Sequence, residues 1–224
     1  MNQHVEFLVE EPAMKETLEV LAPKLLPPGV SFAIRTFQGK PDLFRKLPGR
    51  LKGYQHWPEE NRFVVVVDED REDCHELKRR IVAATVEAGL APWSLGGRRD
   101  GRVTGRIAVE ELEAWFLGDF GAICAAFSRV DARHGGKARF RKPDEIGGGT
   151  AEALERLLRR SGYYDAPHTE PVVERFYLDR GICESGYRAT GTCRRSNTWR
   201  WYGDGVVTRS NAALDDADGP VTFM

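Results

Sequence analysis

Two aspartates stand where a run of valines stops. In "RFVVVVDEDREDCHELKRR", Arg62 to Arg80, the valines Val64 to Val67 give way to Asp68 and Asp70. Side chains at i and i+2 of an extended segment point the same way, so this spacing presents two carboxylates on one side of the chain. Glu10 and Glu11 follow the first apolar cluster in the same manner, and Glu110, Glu111 and Glu113 follow a third, "RIAV". Glu110 and Glu113 are spaced to share a helix face at i, i+3. Carboxylates that converge repel each other unless a cation joins them. A hard ion such as Mg²⁺, or Mn²⁺, takes carboxylate and water oxygens and is the natural candidate. Another reading stays open beside this one: acidic residues are favoured at helix N-termini by capping and by the dipole, and Asp68, Asp70, Glu72 and Asp73 all precede a helical segment. Three acidic clusters after three strands are harder to assign to capping than one.

Apolar clusters alternate with periodic charged segments and supply the elements that must position these groups. "VEFLVE" reads as a strand, and "AMKETLEVLAPKLL" places Met14, Leu18, Leu21 and Leu25 at helical spacing, with Pro23 expected to shorten the helix. "SFAIRTF" alternates as a second strand, ended by Gly39 and Pro41. Leu43, Leu47, Leu51 and Tyr54 form one helical face, which Pro48 is expected to interrupt. "FVVVV" is a strand buried on both faces, as in a parallel sheet covered by helices. Leu77, Ile81, Ala84 and Ala88 then mark a helix with Gly89 as its C-terminal cap. "ELEAWFLGDFGAICAAF" reads as helical with a break near Gly118, and "GGGTAEALERLLRR" as a helix with Thr150 as N-cap. Strands alternating with helices imply crossover connections, hence an α/β fold with a mostly parallel central sheet and helices on both faces. In open sheets of this kind ligands bind beyond the carboxyl ends of the strands, where the acidic residues fall. The pattern fades after Gly162, so residues 1–162 form the expected α/β domain and residues 163–224 a loosely structured tail.

Composition excludes some alternatives. With 33 Lys+Arg against 34 Asp+Glu the 224-residue chain has no global basic field, so any nucleic-acid contact must be local. Arg98, Arg99 and Arg102, with Arg106, alternate with glycines in "GGRRDGRVTGR" and have the makings of a phosphate clamp, although a solvated loop explains them equally well. The five histidines show no ligand spacing, and "IGGGT" lacks the lysine of a phosphate-binding P-loop. Four cysteines without close pairs read as reduced thiols. No apolar run approaches a membrane span and the charged start does not read as a signal peptide, so a cytoplasmic protein is expected.

In order along the chain, "VEFLVEEPAMKETLEVLAPKLLP", "FVVVVDEDREDCHELK", "RIAVEELEAWFLGD" and "GGGTAEALERLL" resemble the family called domain of unknown function 4276, which is similar to the Toprim domains of OLD-type nucleases. The resemblance runs from Val5 to Tyr163. It implies a Toprim-like fold in which Glu10 is the catalytic glutamate while Asp68 and Asp70 hold the metal. Glu113 is the choice for an additional ligand, with Glu110 behind it. The activity implied is that of a Mg²⁺- or Mn²⁺-dependent nuclease, or nuclease-like subunit, acting on phosphodiesters of nucleic acid. A separate AAA/ABC-type ATPase would be its partner, in defence against foreign DNA. The alternative, from a different class, is a non-catalytic interaction partner of an ATPase that retains a metal-binding Toprim-like fold.

Overall fold

What covers the third strand explains its continuous apolar run. The computed structural model describes residues 3–93 and 101–163, together with the strands 197–202 and 206–211. β1 (His4–Val9), β2 (Ser31–Thr36), β3 (Arg62–Asp68) and β4 (Val103–Ala108) form one sheet in the order β2-β1-β3-β4, every neighbouring pair parallel. Val64 and Val66 of β3 join a core with Met14 and Leu18 of α1 (Pro12–Leu25), Phe116 of α4 (Leu112–Gly118), Ile123 of α5 (Phe120–Ala126) and Leu154 and Leu157 of α6 (Thr150–Arg160). Phe63, Val65 and Val67 enter a second core, with Leu43, Leu47 and Leu51 of α2 (Gly39–Lys52) and Leu77 and Ile81 of α3 (Cys74–Glu87). Alternate side chains of β3 thus serve opposite cores, and both must be apolar. The protein is α/β, with a parallel sheet between two helical layers.

Several local expectations need correction. Pro48 lies inside α2 without breaking it. An interior proline costs roughly 3 kcal/mol, but Leu43, Leu47 and Leu51 are fully buried along one stripe, and each such leucine contributes about 1.5–3 kcal/mol. Packing therefore outweighs the lost hydrogen bond. Pro23 sits in the last turn of α1, which still reaches Leu25. Gly105 lies within β4 rather than in a loop; a Cβ there would approach Ile81 Cδ1 to 2.8 Å, so this glycine lets α3 settle on the sheet. Gly89, at φ +69°, ends α3 as expected. Cys74 at the head of α3 is disulfide-bonded, which corrects the reading of reduced thiols there, while Cys124 is a free thiol. Within the segment read as a loose tail, β5 (Asn197–Tyr202) and β6 (Val206–Asn211) pair antiparallel. Among the described residues no helix is long and apolar enough to cross a membrane.

The start of α6 is held from a distance. Thr150 is the first residue of the helix rather than its cap, and Gly149 before it, at φ +85°, has no side chain to offer. Glu111 takes over: its Oε2 accepts from Thr150 N at 2.9 Å, Thr150 Oγ1 at 2.9 Å and Ala151 N at 2.8 Å. A carboxylate at a helix N-terminus satisfies free backbone donors and complements the dipole. Replacing it leaves buried donors unpaired, so Glu111→Ala should lower the free energy of unfolding by about 2 kcal/mol, measured by urea titration. Glu111→Gln should recover part of that loss. An alanine variant as stable as the wild type would show that packing alone holds α6.

Candidate functional site

The strand order places a reversal between β1 and β3. The chain leaves β1 toward β2 on one side and returns past it to β3 on the other, with the register Val9 opposite Val66. Glu10 and Asp68 emerge from these neighbouring strands at the carboxyl edge, the crevice where open α/β sheets bind ligands. Both are buried, Glu10 7 % and Asp68 5 % exposed. Oε2 of Glu10 and Oδ1 of Asp68 are enclosed without a hydrogen-bond partner.

The electrostatics follow from this enclosure. Burial pushes the Glu10 carboxyl from 4.5 up to about 7; the Lys40 charge opposes the shift, the charges of Asp70 and Glu11 add to it, and a backbone hydrogen bond from Asp68 lowers it. Asp68 lies well above its ordinary value, first through burial and then through the charges of Glu10, Glu11, Glu113 and Asp70. Burial also carries Glu113, in the first turn of α4, to about 7; its own backbone hydrogen bond opposes this, and the charges of Glu111, Glu11 and Glu152 add to it. Glu11 is raised by burial and by the charges of Asp70 and Glu111. Glu10, Glu11, Asp68 and Glu113 therefore converge as an acidic group that resists full ionisation.

Asp70 and Glu110 behave differently from the expectation. β3 ends at Asp68, and Asp70 takes φ +52°, so the alternation that would align the two aspartates does not reach it. Instead Asp70 Oδ2 accepts from Lys40 Nζ at 2.6 Å. Glu110 takes φ +60° and precedes α4, so it does not share a helix face with Glu113. These two left-handed residues tie the ends of β3 and β4: Asp70 N donates to Glu110 O at 2.7 Å, and Glu110 N to Glu69 Oε2 at 3.4 Å. Beyond them lies Asp144, raised to about 6 by burial and by the charges of Glu110, Glu145 and Glu69, with a buried, unpartnered Oδ1.

Arg102 does not join the site. It precedes β4 at the amino edge of the sheet, donates to Pro58 O at 2.9 Å and lies over the Phe63 ring. Arg98 and Arg99 lie outside the described residues. Sequence reasoning missed Lys40. Its side chain is buried and its ammonium donates to Asp70, lies 3.2 Å from Glu72 Oε1 and reaches Glu69 O at 3.4 Å. Burial opposes its charge, but the Asp70 hydrogen bond and the charges of Asp70 and Glu10 keep its pKa above the ordinary value. A usable signal existed: the first turn of a helix that follows a parallel strand starts at the carboxyl edge, and Lys40 is the second residue of α2.

No group of three or more His, Cys, Asp or Glu among the described residues is placed so that it could hold a metal ion. Mg²⁺ does not need such a group, since it is commonly held by one or two carboxylates together with waters and substrate phosphates. Glu10 and Asp68, each with an enclosed oxygen that lacks a donor, fit that requirement.

The fold and site define an α/β protein with a buried acidic group at the switch point of its sheet. The family model for domain of unknown function 4276 matches residues 9–184, and the chain belongs to that family. No curated protein and no solved structure matches it.

The raised carboxyls predict a pH dependence. A group with a folded pKa above its unfolded one favours the fold most below the unfolded value and loses that contribution as pH rises through the folded value. For Glu10 the window runs from 4.5 to about 7. Metal-free protein should therefore lose stability as pH rises from 4.5 through about 7, with a Glu10 share on the order of 3 kcal/mol. Thermal unfolding in chelator should show a flatter profile for Glu10→Gln than for the wild type. Parallel profiles would mean that Glu10 ionises without strain.

Proposed function

We propose that the protein is a cytoplasmic Mg²⁺- or Mn²⁺-dependent nuclease, or nuclease-like subunit, that acts on phosphodiesters. The observation that carries the reading is the pair Glu10 and Asp68, buried at the carboxyl edge of adjacent strands with one unpartnered oxygen each. A desolvated carboxylate without a donor is costly, and a cation relieves the cost. The order of the acids, a glutamate after the first strand and D-x-D after an adjacent one, supports the Toprim-like reading. A divalent cation bound there supplies charge compensation for a phosphate and a more acidic bound water.

The side chains have separate tasks. Asp68, rigid at the end of a strand packed on both faces, fixes the anchor point. Glu10 titrates near neutral pH in the cation-free protein, which suits a group that accepts and returns a proton. Glu113 adds a second acid of similar strength on the α4 side. Arg102 does not serve as a phosphate clamp at this edge, because its contacts lie elsewhere. A separate ATPase, the partner suggested by the resemblance to OLD-type nucleases, would share the task of presenting nucleic acid, in defence against foreign DNA.

Cleavage of single-stranded DNA, double-stranded DNA or RNA should require Mg²⁺ or Mn²⁺. Because the glutamine is similar in size but not basic, Glu10→Gln should reduce the rate at least ~100-fold. Assays run with and without a candidate partner ATPase separate a dependent subunit from an independent enzyme. Metal-independent cleavage, or full activity in Glu10→Gln, would sink the mechanism. Absence of cleavage under every condition would favour the non-catalytic partner.

A further inference from the structure

We infer that Lys40 is a permanent positive charge that reserves Asp70 for itself, so that one divalent cation per chain is held by Asp68 and Glu10, with Asp70 outside its ligand set. This deepens the metal-dependent reading and rests on it. D-x-D suggests two equivalent ligands, and the geometry makes them unlike.

On one side, the Lys40 side chain is 8 % exposed, and its ammonium has a partner for each of its three hydrogens: Asp70 Oδ2 at 2.6 Å, Glu72 Oε1 at 3.2 Å and Glu69 O at 3.4 Å. Asp70 itself is turned out of the strand by its left-handed backbone. Asp70 is half-exposed, but pulling it toward a metal would take from the buried ammonium its shortest partner. On the other side, Asp68 is more than nine-tenths buried and its Oδ1 has no donor, and the same holds for Glu10 Oε2. Alternation along β3 directs Asp68 with Val64 and Val66 toward the α1 and α4 layer, where Glu113 sits. Lys40 begins the opposite layer, with α2. Charge compensation thus falls off along the sheet edge, from Lys40 with Asp70 and Glu72, through Glu10, which the Lys40 charge still reaches, to Asp68 and Glu113, which it does not. A cation gains most where oxygens are unpartnered.

Titration calorimetry of the full chain with Mg²⁺ and with Mn²⁺, each variant first checked for cooperative unfolding, decides the matter. The wild type should bind one ion per chain. Asp68→Asn, which keeps shape and loses charge, should weaken binding by at least ~10-fold, while Asp70→Asn should stay within about threefold. Lys40→Met releases Asp70 and Glu72 and should admit a second ion. Equal losses in Asp68→Asn and Asp70→Asn would overturn the assignment while leaving the metal-dependent reading standing. Retained binding in Asp68→Asn, or a single ion in Lys40→Met, would overturn it as well. Failure of the wild type to bind either ion would remove both this inference and the reading beneath it.

Discussion

Burying two carboxylates side by side is the constraint from which the rest of this molecule can be understood. Glu10 and Asp68 are each more than nine-tenths enclosed; burial raises both, and the Glu10 charge adds to the reluctance of Asp68 to ionise. In water they would separate and solvate; here the strands that carry them cannot move apart. β1 and β3 are hydrogen-bonded neighbours, clamped by Met14, Leu18 and Leu112 on one face and by Leu43, Leu47 and Leu77 on the other. Interiors packed to that degree resist relaxation. The cores thereby hold in place an electrostatic strain that a looser scaffold would release.

Topology decides where that strain is held. In the order β2-β1-β3-β4, the connections from β1 and into β3 pass to opposite sides of the sheet. The carboxyl ends of β1 and β3 are left with a crevice between diverging helices. α2 begins at that edge and brings Lys40. α4 begins there too and brings Glu113. The site is therefore built from first turns and strand ends, which are the positions in an α/β fold where backbone is rigid and side chains are free to specialise.

Much of this arrangement was legible in the sequence, and what was not has physical causes. The run Val64 to Val67 announced a strand covered on both faces, and Gly89 marked the end of α3 through its left-handed φ. The place of Glu10 and Asp68 at the ends of strands was legible because they follow apolar runs directly. The side to which Asp70 turns was missed, since alternation was extended beyond Asp68 across a backbone reversal that no residue type in "DED" demands. Pro48 was overweighted because a local penalty is visible in sequence while the burial of three leucines that offsets it is not. Lys40 and the Glu111 anchor are long-range partners. Their meaning exists only once Asp70 and Thr150 have been brought to them.

Acidic residues near helix starts therefore divide into two kinds that sequence cannot separate. Asp73 accepts from His75 N and Glu76 N at the head of α3, and Asp119 accepts from Ala122 N at the head of α5. Glu111 serves α6 in the same way. For these the helix-capping reading is complete: each carboxylate meets donors, and backbone bonds hold the Asp73 carboxyl below its ordinary value. Glu10 and Asp68 also precede helices, two and six residues ahead of them, yet leave enclosed oxygens unsatisfied, and burial raises both. A carboxylate that stabilises a helix gives up its charge to amides already present. One that stays buried and unpartnered retains a demand for positive charge, which Lys40, bonded to Asp70 and Glu72, meets in part for Glu10 and not for Asp68.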